Sequence, residues 1–186
     1  MNWVSALIDD QLGFYWDYSL WPRVQGLTDQ EYLWEPVDGC WSIRPDAEGV
    51  LRLDGMTVFP EPVPPPVTTL AWRIVHTATA MSQRTSTFFD NPGDGPDMFD
   101  PVHWPSAIPG TAADGIAFLE SCYYAWHDNI AALSAAELAE PLGPKGGFFA
   151  QDPMAALIVH INREVMHHGG EIGVLRDLYA RRDSLA

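Results

Sequence analysis

The chain has 186 residues, 47% of them hydrophobic, so we expect a single domain over residues 1–186 with a substantial core and little disorder. Its 25 acidic residues outnumber 10 basic ones, and the formal net charge is −15. Because such a surface repels phosphate backbones and anionic lipids, nucleic acid and membranes are excluded as partners.

The N-terminal segment predicts a helix. Hydrophobic residues recur at helical spacing over positions 3–20, and we expect Trp21-Pro22 to end this helix, since the residue before a proline disfavours helical conformation. Asp9 and Asp10 interrupt the hydrophobic run, so it does not resemble a secretory leader, and the chain has no run of about 18 apolar residues. We therefore predict a cytoplasmic protein.

An irregular insertion is predicted after this helix. Thr28 and Glu31 form a capping-box pattern, which predicts one short helical turn. Residues 36–67 have no helical period and end in a proline-rich run, with one candidate strand at residues 49–55. We expect this stretch to lie over one end of the remaining helices.

Three further long helices are predicted, over residues 68–89, 111–133 and 152–182. Thr111 and Asp152 are their expected caps, and Ser134 opens an additional short helix. Residues 90–110 contain five prolines and predict a long loop without regular structure. The predicted fold is all-α: a four-helix bundle with a long crossover loop between helices 2 and 3 and an irregular insertion after helix 1.

Glu164 and His168 carry the main chemical signal. They are four residues apart, so on a helix they share one face, which also bears Ile161, Val165 and Ile172. A carboxylate and an imidazole on an apolar face are costly unless they are paired, hydrogen-bonded or bound to a metal. The same spacing is also common in surface ion pairs and in hydrogen-bonded core histidines.

A histidine from another helix would complete a metal site inside a bundle. His76 in the second helix is the best-placed candidate, whereas His103 in the long loop and His127 in the third helix are less constrained. Two imidazoles and one carboxylate with an open position are typical of catalytic zinc sites, and nickel, iron or manganese can use the same ligands.

Two segments resemble the DinB-like metal-binding bundles. Residues 160–179, HINREVMHHGGEIGVLRDLY, resemble the signature of the final helix, and residues 68–76, TTLAWRIVH, resemble the start of the second. The resemblance covers most of the chain outside residues 36–67. Many members have histidine at the position of Glu164, whereas the mycothiol-dependent maleylpyruvate isomerase branch has glutamate. The resemblance implies that His76, Glu164 and His168 bind one divalent metal ion, zinc in the first place.

The residues around this motif also have expected roles. His160, one turn before Glu164, is predicted to lie on the inner side as a packed histidine, with a proton relay as the alternative. His167 is expected to point away from the ligands, and Glu171 either holds a ligand imidazole or is solvated. The tryptophans are expected in the core, with Trp104 the one that lines a cavity.

The resemblance further implies chemistry on a low-molecular-weight thiol, because a metal-bound thiol is deprotonated. The first hypothesis is a metal-dependent thiol S-transferase or thiol-assisted isomerase, with a mycothiol-like thiol as co-substrate and a small-molecule electrophile. Arg73 or Arg84 is the candidate for binding a substrate carboxylate. A metal-assisted hydrolase and a non-enzymatic metal-binding stress protein are the alternatives, and we expect a monomer or a homodimer.

Overall fold

A computed structural model describes residues 3–184 apart from Thr57, Phe59, Glu61, Asn91 and Pro92. Most of these residues are helical, and their one β-sheet has two strands. The elements are α1 (residues 3–24), α2 (Asp29–Tyr32), β1 (Ile43–Pro45), β2 (Leu51–Leu53), α3 (Leu70–Thr85), α4 (Ala112–Ala131), α5 (Ala135–Ala139) and α6 (Met154–Tyr179). A π-helical turn, Ser86–Asp90, continues α3, and 3-10 turns lie at Pro101–His103, Pro144–Phe149 and Arg182–Ser184.

Helix α1 continues through the position where we predicted its end. It consists of α-helical Trp3–Leu7 and Trp21–Val24 and of π-helical Ile8–Gly13 and Trp16–Leu20. Trp21 keeps helical dihedral angles (φ −60°, ψ −46°), and its N–H donates to the Trp16 carbonyl, five residues back. The prediction was wrong because Pro22 lies in the first turn of a new α-helical segment, where a missing N–H is tolerated.

The insertion after α1 is attached directly to the start of α3. Strands β1 and β2 pair antiparallel, so the candidate strand is confirmed at Leu51–Leu53. Gly55 follows with φ +78°, and a Cβ there would lie 2.4 Å from the Trp41 ring, so this position requires glycine. The Trp41 backbone forms hydrogen bonds of 2.9 and 2.8 Å with Val67 and Thr69. The insertion thereby fixes the residues that open α3.

Hydroxyl side chains cap the helices at the predicted positions. Backbone N–H groups in the first turns donate to the side chains of Thr28, Thr69, Thr111 and Ser134. Helix α6, in contrast, begins at Met154 without a side-chain cap, so the prediction of Asp152 as its cap is wrong. The reason is that Pro153 pairs with Pro141, and the Asp152 carbonyl accepts from Leu142, which keeps the chain extended up to the helix.

The long loop between α3 and α4 contains one regular turn that we did not predict. The Asp100 carboxylate accepts from the Val102 N–H at 2.9 Å and caps the 3-10 turn Pro101–His103. His103 is buried there, with Nδ1 3.0 Å from the Ser86 hydroxyl. This histidine, a less constrained candidate for the third metal ligand, therefore connects the loop to the end of α3.

Helix α3 occupies the centre of the helical packing. It contacts α4 and α6, and α1 contacts both of these as well. Trp126 is fully buried in the core, as predicted for the tryptophans. In the described part of the chain, no helix has the length and hydrophobicity that crossing a membrane requires.

A buried ion pair connects the end of α6 to α2. Arg176 donates from Nε and Nη2 to the two carboxylate oxygens of Glu31, at 2.7 and 3.1 Å. Its Nη1 donates to the carbonyls of Arg23 and Gln25. Glu31 therefore does not complete the capping box with Thr28, because its carboxylate is used in this pair instead.

Two adjacent glycines of α6 give a prediction for stability. A Cβ at Gly169 would lie 2.4 Å from the Tyr15 hydroxyl oxygen, whereas one at Gly170 would have nothing within 4 Å. We expect Gly169→Ala to destabilise the protein by about 1–3 kcal/mol through overpacking. Gly170→Ala should stabilise it by up to about 1 kcal/mol, because alanine favours the helix. Urea unfolding measures the change in the free energy of unfolding for both variants. Changes of the same sign would contradict the close packing of Gly169 against Tyr15.

Candidate metal centre

His168 on helix α6 is held by Glu171, three residues later on the same helix. Its Nδ1 lies 2.7 Å from Glu171 Oε2, and 9% of its side chain is exposed. Arg73 Nε on α3 lies 3.0 Å from the same oxygen, without hydrogen-bond geometry. Burial works to raise the pKa of Glu171, but the hydrogen bond with His168 and the charge of Arg73 outweigh it, and the pKa lies below its ordinary value. Glu171 is therefore an ionised acceptor.

This hydrogen bond determines which nitrogen of His168 faces Glu164. Because an ionised carboxylate only accepts, Nδ1 carries a proton, and the one nitrogen that can offer a lone pair to a metal ion is Nε2. Arg73 Nη1, a competing donor 3.3 Å from Nδ1, makes the longer contact. Nε2 lies 3.6 Å from Glu164 Oε2, too far for a hydrogen bond.

The separation between His168 Nε2 and Glu164 Oε2 fits a shared metal ion. Two acceptors that face each other are unfavourable unless a proton or a cation lies between them. Two ligand atoms at about 2.1 Å from a tetrahedral ion lie about 3.4 Å apart, close to the observed distance. A protonated His168 between two carboxylates is the arrangement that would need no metal.

His76 on helix α3 brings a second imidazole to this point. Its ring centroid lies 4.8 Å from that of His168, with the rings nearly perpendicular, and the Trp72 ring stacks on it at 4.6 Å. Burial, with the nearby charges of His168 and Arg73, lowers the pKa of His76 to about 4. Within the described residues, neither ring nitrogen has a hydrogen-bond partner. His76 is thus a neutral imidazole with an unused lone pair, as a metal ligand requires.

A second group of donors overlaps with the predicted one. His167, His168 and Glu171 could hold a metal ion, since their donor atoms all lie within 4.8 Å of one another. Two features disfavour this group. His167 is 64% exposed, and the 2.7 Å contact between His168 and Glu171 is shorter than two ligands of one ion normally allow. That distance is typical of a hydrogen bond.

A cavity of about 450 Å³ adjoins the site and gives it access to small molecules. His76 and Glu164 lie in its wall, and most of the remaining lining is apolar or aromatic. Trp104 lines it as predicted, but Trp41 and Trp72 do so as well, which corrects their assignment to the core alone. Pockets of this size with few polar groups are typical of small-molecule sites.

The other candidate histidines occupy different positions. His160 is exposed (46% of its side chain), which corrects its predicted inward placement, although it lines the cavity. Its Nδ1 lies 2.7 Å from Arg163 Nη2 and so accepts a hydrogen bond from it. His127 contacts Asp128 and Tyr123 and does not line the cavity.

The contacts of Trp72 were not predicted from the sequence. Its indole stacks on His76, and Nε1 donates to the Asp54 carbonyl of the insertion at 2.8 Å. The spacing of four residues between Trp72 and His76 was the available signal, because side chains at this spacing on a helix are neighbours. Arg73, a candidate for substrate binding, contacts Glu171 of its own chain instead.

The fold and the site together define a class of protein: a helical domain with a histidine–carboxylate cluster between two long helices, open to a cavity. Comparison with known families makes this specific. A sequence model of the DinB superfamily matches residues 17–172, and the chain belongs to this superfamily, which includes metal-binding enzymes. Searches of curated proteins and of solved structures found no significant match.

Proposed function

We propose that this protein is a metal-dependent thiol S-transferase or thiol-assisted isomerase, built as a four-helix bundle of the DinB type. Its ligands are His76, Glu164 and His168, and its metal is a divalent ion, zinc in the first place. One observation carries the proposal: two imidazoles and a carboxylate from two helices lie together, and two of these three side chains, His76 and Glu164, line a cavity large enough for a small molecule.

The surrounding side chains support this assignment of ligands. Glu171 orients the His168 ring and leaves Nε2 available, which is the usual role of a carboxylate behind a metal-bound histidine. Trp72 fixes the plane of the His76 ring by stacking. His127 contacts Asp128 away from the cavity. His160 Nδ1 lies 3.6 Å from Glu164 Oε1, but this nitrogen accepts a hydrogen bond from Arg163 at 2.7 Å, so its lone pair is not available for a fourth ligand bond. Three protein ligands with an open position favour catalysis over a purely structural ion.

The chemistry follows from the proposed ligand set. A divalent metal ion held by His76, Glu164 and His168 would supply a positive charge that lowers the pKa of a nearby thiol and so favours the thiolate. The sulfur forms a bond to the electrophilic carbon, the leaving group departs with the bonding electrons, and the thiol proton passes to solvent. In the isomerase version, the sulfur adds and later leaves again. The aromatic cavity wall binds the body of the electrophile and excludes water from it.

Turnover of a fluorogenic electrophile tests the proposed function. The zinc-loaded protein would be incubated with monochlorobimane and, in separate reactions, with mycothiol, bacillithiol or glutathione. We expect thiol-dependent fluorescence with at least one of them, because the open position accepts a thiol. A protein that holds its metal but turns over none of the three contradicts the transferase and favours a metal-binding protein without catalysis. Turnover without thiol indicates metal-assisted hydrolysis.

The contact of Glu171 with His168 gives a separate prediction. In Glu171→Gln, the amide no longer provides a charged acceptor for Nδ1–H, so the ring is held less firmly and is a weaker ligand. We expect the affinity for zinc to fall about 10- to 100-fold, as is typical for such supporting residues. Competition with a chromophoric chelator measures it. An unchanged affinity would show that Glu171 does not support the ligand.

A further inference from the structure

Arg84 is a half-buried cation in the wall of the cavity described above. It lies on helix α3, and its Nη1 donates to the Met98 carbonyl at 2.7 Å. Its Nε is buried and has no hydrogen-bond partner in the described part of the chain. Among the described residues, no carboxylate forms a salt bridge with it. Burial lowers the pKa of the Arg84 guanidinium, yet arginine keeps its charge in proteins.

Such an arrangement costs free energy and calls for an acceptor. A guanidinium has five N–H donors, and among the described residues the Met98 carbonyl is the one acceptor with which Arg84 forms a hydrogen bond. A buried donor left unsatisfied costs about 1–3 kcal/mol, more when the group is charged. The Phe99 ring, 5.6 Å from the guanidinium carbon, compensates only in part. An anionic ligand would satisfy both the charge and the free donors.

The position of Arg84 connects it to the candidate metal centre. His76, Ala80 and Arg84 follow at intervals of four residues on α3, and all three line the cavity described above. Arg84 is therefore about 12 Å of helix away from His76, and the small side chain of Ala80 leaves room between them. Of the described residues in this wall, Arg84 alone carries a permanent positive charge. It also lines a second cavity of about 340 Å³, together with Phe99 and His160.

We propose that Arg84 binds a carboxylate of the substrate, so that the electrophile of this protein is a small carboxylic acid with a planar or apolar body. This inference rests on the proposed function for the location of the reacting end, near His76 and Glu164. The carboxylate lies at the Arg84 end, and the tryptophan rings contact the body between them. The overall charge of −15 gives an anion no general attraction, so this local cation determines which substrates bind.

A binding experiment tests this without any turnover. Benzoate and benzamide have nearly the same shape but differ in charge, and their Kd values are measured by titration calorimetry or by tryptophan fluorescence. We expect the protein to prefer benzoate, and Arg84→Met to weaken benzoate binding about 10- to 100-fold while leaving benzamide unchanged. Arg84→Lys should retain part of the preference. Arg181→Met, which removes an equal charge at an exposed position, is the matched control.

Other outcomes overturn the proposal. If Arg84 only anchors the loop through Met98, Arg84→Met lowers stability and weakens both ligands alike. If benzoate binds to a metal ion instead, its affinity survives Arg84→Met and is lost in His76→Ala. If Arg84→Met leaves the preference for benzoate unchanged, or if the parent protein has no such preference, the assignment of Arg84 as the carboxylate-binding residue is contradicted.

Turnover then shows whether the bound carboxylate belongs to the electrophile or to the thiol. With 4-chloro-3-nitrobenzoate and its amide as electrophiles, the thiolate displaces chloride, and Arg84→Met should raise the KM of the acid alone. An effect confined to the KM of the thiol would overturn the assignment to the electrophile. If benzoate binding depends on Arg84 but the protein transfers no thiol, the carboxylate site is supported and the proposed function is contradicted.

Discussion

His76→Ala should abolish metal binding. The variant removes the one proposed ligand that comes from helix α3. Glu164 and His168 on helix α6 remain, and these two do not hold the ion without a ligand from a second helix. We expect the purified parent protein to contain about one equivalent of zinc per chain and the variant less than about a tenth of that, because losing a ligand costs more than the 10- to 100-fold typical of supporting residues. Elemental analysis measures the content, and thiol transfer should disappear with it.

His167→Ala is the matched control for this experiment. His167 belongs to the second possible donor group, with His168 and Glu171, but not to the proposed ligands. It is exposed, so its removal leaves the core packing intact. If the proposed ligands are right, His167→Ala keeps its zinc. Loss of metal in His167→Ala, with retention in His76→Ala, would move the ion to the second group and with it reject the catalytic proposal.

Arg176→Met should be strongly destabilising. The side chain of Glu31 is only 9% exposed, so removal of its partner leaves a nearly buried carboxylate unpaired, and two backbone carbonyls lose their donor as well. We expect a loss of about 3–5 kcal/mol in the free energy of unfolding. For a chain of this size, the Tm should fall by roughly 6–20 °C. Urea unfolding and calorimetry measure the two quantities.

Two further variants show whether burial is the cause. Arg52→Met breaks the exposed pair of Arg52 and Asp46 and should change stability by less than about 1 kcal/mol. Glu31→Leu combined with Arg176→Met removes both charges and should recover part of the loss, because no buried carboxylate is left unpaired. A similar loss in the Arg52 variant, or no recovery in the double variant, would show that desolvation of Glu31 is not the cause.

Local interactions made much of the fold predictable. Helix starts at Thr69, Thr111 and Ser134 were found from sequence because capping needs only a hydroxyl and the next three residues. The continuation of α1 through Pro22 was not found. Trp16, the first residue of the second π-helical segment, stacks on Tyr123 of another helix at 3.8 Å, and such a contact leaves no local signal in the sequence.

The candidate site was likewise predictable only where local spacing determines the geometry. That Glu164 and His168 share a face follows from helical spacing, and the structure places them 3.6 Å apart. The approach of His76 depends on how α3 packs against α6, which spacing alone does not determine. The exposure of His160 was missed because the helix face that carries His160 and Glu164 is no longer covered by the core at His160. Only the packing of neighbouring elements shows where this cover ends.

Under the proposed function, the insertion offers a means of changing the substrate preference without moving the helices that carry the three ligands. Asp54 holds the indole that covers His76, and Trp41, Gly55 and Met56 form part of the cavity wall. Substitutions in this stretch would reshape the entrance and the tilt of one imidazole while the long helices stay as they are. Sequence diversity among related proteins should therefore concentrate here, and a graft of residues 36–67 between two of them should transfer ligand selectivity more readily than an exchange of helices.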